Sequence, residues 1–529
     1  MRIPPTPNRM KADLVVAGGG LGGVAAALAA LRNGLSVILT EETDWLGGQL
    51  TAQGVPPDEH PWIETHGAPA SYRALRKGIR DYYRQHYPLT EAARQDQLLN
   101  PGRGSVSRLC HEPAVAQAVI REMLAPWTSN GRLRILTEHL PVAAEMSGDR
   151  VLSITVKNTR NQTETVLSAP WFADATELGD LLPLTGCEYI TGTESKAMTG
   201  ELHAATTADP RNHQAFTMCF AMDFCPGEDH VIERPSDYAY WRDYVPDLNP
   251  AWPGRLLDLH YSQPSTLKPK ALGFQPEGLP TGDNLNLWLY RRILDKSLFT
   301  PGMYQGDISL VNWPQNDYMQ GNLIDVGRKE FRKHVDGAKQ LSLSLLYWLQ
   351  TEAPRPDGGK GWRGLRLRPD VMGTSDGLAK YPYVRESRRI KALFTVDERH
   401  CGKEQSGGKG ARFPDSVGIG YYHIDLHPSN RGVNYIDFPS VPFQIPLGAL
   451  IPIRIQNLLP ACKNIGTTHV TNGCYRLHPV EWSIGEAVGC LVAFVGSGGG
   501  SLSEVRNTEV RMRECRLFLQ RQGLETDWP

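Results

Sequence analysis

The hydrophobic pattern of this chain begins with a short, wholly apolar run, Leu14-Val15-Val16-Ala17, after a polar, proline-bearing start. Four uninterrupted apolar residues predict a strand buried on both faces. A glycine cluster follows at 18–23, then an alanine-rich stretch at 24–31 that predicts a helix closed by Asn33-Gly34. A second apolar run at 36–40 predicts another strand of the same sheet. Helical periods return at 71–87 and at 113–124, the latter opened by Pro113 in its first turn. Arg73, Arg76, Lys77, Arg80 and Arg84 in the first of these read as a solvated face.

From 133 the pattern shortens. Residues 133–136, 142–146, 151–156 and 164–167 read as strands of a β-meander, with turns at 147–149 and 158–162. Residues 171–176 read as a strand returning to the parallel sheet, with Asp174 at its ligand-facing end. The region 201–440 is rich in tryptophan, tyrosine and proline, holds a long helix at 326–350 and contains a charged glycine loop at 401–411. Runs at 446–453 and 457–462 then read as strands, and 481–495 as an apolar helix. Ser501-Leu502-Ser503-Glu504 is a capping box that opens a last amphipathic helix. The fold class expected is α/β. A Rossmann-like, three-layer nucleotide-binding domain with an inserted β-meander is made from 11–200 and 441–529, around a mixed α+β substrate domain at 201–440.

Gly18, Gly20 and Gly23 fit the G-x-G-x-x-G pattern between a strand and a helix. The first glycine permits a tight turn, the second lets a pyrophosphate approach the backbone, and the third lets helix and strand pack closely. The helix N-terminus offers free N–H groups to the phosphates. Glu41 follows Gly18 by about twenty positions, where an acid meets ribose hydroxyls, and Glu42 is the alternative for that role. Gly47-Gly48 either brings backbone close to the same ligand or forms an ordinary loop.

Composition narrows the picture. At 529 residues the chain exceeds one ordinary core, so two or three domains are expected. A net charge of −1 speaks against a nucleic-acid partner, which would want a basic face. No uncharged apolar run has bilayer length, and the start lacks the apolar core of a signal peptide. The expectation is a cytoplasmic protein with no membrane partner. Nine cysteines without a C-x-x-C pair point away from structural zinc and a disulfide framework, and no metal ligand set is expected.

Taken in order, these pieces resemble the FAD-dependent oxidoreductases of the glutathione-reductase-like superfamily. They are most similar to bacterial FAD-dependent oxidoreductases often labelled xanthan-lyase-like. The resemblance is carried by the glycine motif at 18–23, Trp45-Leu46-Gly47-Gly48-Gln49, Asp174-Ala175-Thr176-Glu177-Leu178-Gly179-Asp180 and Asn312-Trp313-Pro314. It continues through residues 383–390, 457–464 and the segment from Thr468-His469 to Gly485-Glu486-Ala487. It implies FAD as cofactor. Gly18, Gly19, Gly20, Leu21, Gly22 and Gly23 would hold the pyrophosphate, and Glu41 the adenosine ribose. Gly47, Gly48, Gln49 and Leu50 would line the phosphate and ribityl chain. Val142 would meet the adenine through its backbone, and Asp174 and Ala175 would flank the nucleotide. Cys462 and Asn464 would pass the ribityl chain, with Cys462 departing from the glycine of many relatives. A helix opening near Ser483, Ile484 and Gly485 would face the flavin pyrimidine edge.

A flavin dehydrogenase also needs a proton acceptor, and His469 is the first candidate, since imidazole titrates in the useful range. His423 and His478 come after it. Arg385, Arg388 and Arg389 suit a substrate carboxylate or, for at least two of them, ion pairs with acids such as Glu386. Arg476 is the best single pocket cation, and Tyr421 and Tyr422 either close the pocket or belong to the core. The function expected is hydride transfer from a small organic molecule to flavin N5, as a dehydrogenase or oxidase. The alternatives are a flavin monooxygenase and a non-catalytic FAD-binding protein.

Overall fold

The computed structural model describes residues 8–498 and 500–529. Residues 1–7 of the polar start, and the reading made of them, lie outside the described residues. The central sheet is five-stranded and parallel, in the order Leu458–Pro460, Trp171–Asp174, Leu14–Ala17, Val37–Glu41, Leu133–Thr137. Every residue of Leu14–Ala17 and Val37–Glu41 is buried, as the unbroken apolar runs require. The strand Leu458–Pro460 comes from the far end of the chain, so the sheet is closed by both termini.

The segment 133–136 was expected in the meander but forms the edge of this parallel sheet, paired with Val37–Glu41. An apolar run of that length fits either setting, and the helix Pro113–Ser129 before it makes a parallel crossover. The meander itself is His139–Ser147, Arg150–Asn158 and Glu164–Ser168, and Asn8–Lys11 adds a parallel strand to its edge.

Helix Leu21–Arg32 packs against helix His478–Gly498. The contact depends on glycine: a Cβ at Gly485 would stand 1.9 Å from the carbonyl oxygen of Gly22. Helix His478–Gly498 is long and apolar enough to cross a membrane, but 83% of its apolar window is buried inside the protein. It opens at His478, five residues before the start expected near Ser483. Ile484 and Gly485 therefore lie within the helix, against the first one, and not at its N-terminus.

In helix Ala70–His86 the expected solvated face is only partly so. Arg76 and Arg80 are buried and paired with Glu59 and Glu64. Charge counting along a helix cannot see acids supplied from a preceding loop. Residues 446–453 likewise do not make one strand: Phe443–Pro446 pairs with Ser416–Gly420, and a 3-10 turn, Leu447–Leu450, follows. The last expected helix is two, Leu502–Asn507 and Glu509–Arg521.

Between these ends, small antiparallel sheets dominate. One has the order Arg292–Leu294, Ile308–Val311, Phe220–Phe224, Leu365–Leu367, and the helix Arg328–Thr351 lies in the same region. Another is the ribbon Ile424–Leu426 with Ile436–Phe438. One apolar cluster runs from Leu14 to Leu524 and joins the first helix to the aromatic middle region. All nine cysteines are buried and unpaired.

Candidate active site

The glycine motif builds a cleft at the carboxyl ends of the parallel strands. Gly18 has φ +95°, and a Cβ there would meet the carbonyl oxygen of Ala175 at 2.1 Å. Gly23 would meet the carbonyl oxygen of Gly18 at 1.9 Å, which is the close helix–strand contact its spacing implies. Gly20 is different: the nearest atoms to a Cβ are carboxylate oxygens of Glu177 and Glu481 at 3.4 Å, so its face is open to the cleft. Gly47, with φ +107°, donates its N–H to the carbonyl of Gly19 at 2.8 Å. The second glycine pair is thereby fixed directly to the first loop.

The cleft holds about 450 Å³ and is lined by Gly18, Gly20, Gly48, Gln53, Ala175 and Tyr381 together with a set of acids. Glu41 accepts from the N–H of Gly19 at 2.9 Å and from both the N–H and hydroxyl of Thr43. Burial nevertheless pushes Glu41 up to about 7, whereas Glu42 next to it is exposed at the mouth of the cleft. Glu481 accepts from the N–H of Gly22 at 3.3 Å and from the amide of Gln49, and burial beside Glu177 raises it to about 7. Lys463, itself buried, pairs with Glu177 and supplies a cation here.

A second, larger cavity of about 850 Å³ lies beyond the segment that runs from Gly48 to Asp58. Its charged groups are Asp58, Arg291, Arg385, His423, Asp425, His427, Asp437 and Arg476. The strand Ile424–Leu426 explains the grouping. Ile424 and Leu426 are buried on one side, so His423, Asp425 and His427 alternate onto the other. Asp437 stands directly opposite Asp425 on the partner strand. Ligand-type atoms of His423, Asp425 and Asp437 lie within 4.8 Å of one another.

Each arginine in the cavity has an aspartate. Arg291 faces Asp58 at 3.5 Å, Arg385 faces Asp317 at 3.1 Å, and Arg476 faces Asp425 at 2.9 Å. Burial opposes ionisation of Asp317 and Asp425. Arg385 and His427 still hold Asp317 at about 2, and His427 and Arg476 hold Asp425 well below the usual carboxylate range. For His423, burial disfavours the charged ring, but the hydrogen bond to Asp437 and the charges of Asp425, Asp437 and Asp58 outweigh it and raise its pKa.

A family model described as FAD dependent oxidoreductase matches residues 13–513. The chain belongs to that family. No curated protein matches it. Among solved structures, L-proline dehydrogenase from P. horikoshii shares 18% identity over 36% of this chain and 25% of that one, with TM-score 0.19. Quinol fumarate reductase FrdA from E. coli shares 12% over 97% and 74%, with TM-score 0.33. Glycerol-3-phosphate dehydrogenase from Bacillus halodurans, complexed with FAD, shares 14% over 40% and 40%, with TM-score 0.24. The chain thus spans a quarter and two fifths of the first and last of these. Likenesses of this size decide nothing about substrate or reaction.

FAD is the cofactor of this oxidoreductase family, and the cleft fits it. The side-chain amide of Gln53 is fully buried at the cleft, and neither of its polar atoms has a partner. A buried, unsatisfied amide in a cleft calls for a ligand with hydrogen-bonding groups. Val142 is skipped by the pairing of its strand, where the register shifts between Pro141 and Ala143. Its backbone is therefore released beside His139 and Pro141, which line the cleft.

Other expected cofactor contacts turn inward. Asp174 accepts from the N–H and hydroxyl of Thr176 and from the N–H of Leu181, so its carboxylate ties the turn, and Ala175 and Thr176 face the cleft in its place. The thiol of Cys462 points at the carbonyl of Thr176 and at Asn464, and Asn464 donates to the carbonyl of Asp174. Leu21 and Leu50 are buried.

The expected catalytic residues divide. Arg385, Arg476 and His423 share the large cavity, with Tyr422. His469 does not reach it. It lines a separate cavity of about 760 Å³ and lies 3.0 Å from Glu386. Its N–H binds Glu194, because the residue opens the short helix His469–Tyr475. His478 accepts from the N–H of Asp58 at 3.1 Å, and burial lowers it to about 4. Arg388 and Arg389 are in ion pairs with Asp180, Asp325, Glu194 and Glu386. Asp58, Arg291, Asp425, His427 and Asp437 were not anticipated. The alternation His423-Ile424-Asp425-Leu426-His427 was the signal that pointed to two of them, Asp425 and His427.

Proposed function

We propose that this oxidoreductase is an FAD-dependent dehydrogenase or oxidase of a small organic molecule, with its reaction chamber in the cavity around His423 and Arg476. The observation that carries this reading is the adjacency of two sites. The segment Gly48–Asp58 begins in the glycine cleft and ends in the cavity, and its Gln49 donates to the main-chain carbonyl of Arg476, whose side chain lines the cavity. Gly18 to Gly23 would hold the FAD pyrophosphate, with Glu41 or Glu42 at the adenosine ribose. Gly47, Gly48 and Gln49 would lie along the linking chain, and Val142 at the adenine. When bound, FAD supplies a two-electron acceptor.

The protein's own share is proton handling and positioning. His423, held by Asp437 at 3.4 Å, would take the substrate's O–H or N–H proton. Arg476 and Arg385, fixed by aspartates, would orient the substrate rather than capture it by charge. Tyr290, Tyr383 and Tyr422 wall the chamber and limit water.

Anaerobic mixing of the yellow protein with candidate metabolites tests the reading. Loss of flavin absorbance without a nicotinamide reductant is expected with substrate. A requirement for NAD(P)H before any absorbance change would overturn it in favour of a monooxygenase.

A further inference from the structure

We infer that the large cavity selects an uncharged, polyhydroxylated ring compound, a sugar or cyclitol, and not a carboxylate or phosphate. The inference rests on the reading above for its redox chemistry, but its binding part stands on the cavity alone.

Charge is the first ground. Three guanidinium groups line the cavity, and each already faces an aspartate: Arg291 with Asp58, Arg385 with Asp317, Arg476 with Asp425. A further aspartate, Asp437, lines the wall with Asp58 and Asp425 and faces His423. His427 lies 2.5 Å from Asp317 and 3.7 Å from Asp425. Among the described residues, every lining cation faces an acid. An anionic substrate could reach the free Nε–H groups of these arginines, but it would meet guanidinium charge already offset by a facing carboxylate, which leaves little net attraction to repay its desolvation.

The second ground is the kind of surface that remains. Tyr261, Tyr290, Tyr383, Tyr422, Tyr435 and Trp313 supply aromatic faces. A sugar ring, apolar on its C–H faces and polar at its rim, suits such walls. Asn312 is buried in the wall with an amide nitrogen that has no partner. That donor needs an acceptor from the ligand. The grouped atoms of His423, Asp425 and Asp437, within 4.8 Å, provide acceptors that neighbouring hydroxyls of one ring can reach together. A polyol offers donors and acceptors in the same group, which is what a wall of paired acids and unpaired amide demands.

For such a substrate, the hydroxyl proton of a secondary alcohol would go to His423, and bound FAD would supply the two-electron acceptor for the hydride leaving its carbon. The C–H and O–H bonds break, and the substrate leaves as the carbonyl compound, two electrons poorer.

Isothermal calorimetry on the FAD-loaded protein, with anaerobic absorbance as a second readout, tests this. The probes are D-glucose, D-mannose and myo-inositol, against D-glucuronate, D-gluconate and L-proline. At least one neutral probe is expected to bind, with less than about a twofold change in affinity on adding salt. Asp437→Asn is expected to weaken that binding about tenfold, the loss of one charge-assisted hydrogen bond. Asp58→Asn, which frees Arg291, is expected to shift preference toward glucuronate, and retained FAD shows that each variant is folded. Tighter binding of a charged or zwitterionic probe than of every neutral one overturns the inference. So does absence of binding by all neutral probes to protein that keeps its FAD. A neutral probe that binds without bleaching the flavin upholds the ligand class and counts against the oxidoreductase reading of the chamber. A carboxylated probe that bleaches it does the reverse.

Discussion

The side-chain amide of Gln49 donates to the main-chain carbonyl of Arg476 at 3.0 Å and to the carboxylate of Glu481. Gln49 sits in the glycine loop packed on the dinucleotide motif, whereas the guanidinium of Arg476 reaches Asp425 in the large cavity. Glu481 in turn accepts from Gly22 in the first helix. One amide thus connects the loop, the first helix and the wall of the large cavity.

Replacing Gln49 with leucine leaves the Arg476 carbonyl and the Glu481 carboxylate short of a buried partner. A loss of about 2 kcal/mol is expected, together with weaker FAD retention. Thermal melts of the FAD-free variant and the flavin-to-protein absorbance ratio measure the two effects. Unchanged values for both would show that the amide does not couple the sites.

Two glycine substitutions should separate binding from folding. A Cβ at Gly20 meets side-chain oxygens at 3.4 Å and the Ala175 carbonyl oxygen at 3.9 Å, all in ordinary contact. Gly20→Val is expected to leave a folded protein that has lost FAD. A Cβ at Gly485 meets the Gly22 carbonyl at 1.9 Å, backbone against backbone. Gly485→Ala is expected to lose more than about 3 kcal/mol and to yield little soluble protein. Circular dichroism and flavin content distinguish them, and a Gly20→Val protein that stays yellow would disprove the pyrophosphate site.

The acids of the cleft should make the FAD-free protein less stable in base. Glu41 and Glu481 are each raised to about 7 by burial, against 4.5 in the unfolded chain. Between those values the folded state binds more protons, so their contribution is complete at low pH and is lost as pH rises through about 7. Buried His60, His111 and His478, each lowered to about 4, act in the opposite direction only up to about pH 6.5. The melting temperature is therefore expected to fall from about pH 6.5 to 8. Glu41→Gln should remove about 1 kcal/mol of that fall, since most of the linkage of a group raised from 4.5 to about 7 is spent below pH 7. A wild-type slope kept intact in the variant would contradict the assignment.

The two histidines should behave differently. His423→Gln is expected to keep FAD and lose about a hundredfold or more in turnover. In the wild type the acid limb of kcat/KM should lie above the ordinary histidine value, because Asp437 and its acidic neighbours raise His423. Asp437→Asn should move that limb to lower pH. His469→Gln breaks a buried pair with Glu386, a carboxylate that His469 helps hold at about 2 despite burial. It should cost about 3 kcal/mol of stability and leave the pH profile where it was. A displaced limb in His469→Gln with none in His423→Gln would reverse the assignment.

What the sequence by itself determined is local. The apolar run before Gly18, the spacing of Gly18, Gly20 and Gly23, and the alanine helix after them specify a strand, a left-handed turn and a close-packed helix. Each depends on backbone geometry within a few residues. The length and apolarity of 478–498 likewise made a buried helix readable, though its start was not, since no capping residue marks His478. Only the tertiary structure decided which polar residues meet. His469 and His423 are equivalent as isolated imidazoles, and what separates them is that Glu386 lies beside one and Asp437 beside the other. Arg76 and Arg80 look solvated until Glu59 and Glu64 fold under them. Backbone conformation is set by neighbours in the chain, but the fate of a charge is set by its partners in space. Gln49 and Arg476 meet because both ends of the chain contribute to one sheet, whereas Arg385 with Asp317 and His423 with Asp437 meet through the packing of the middle region.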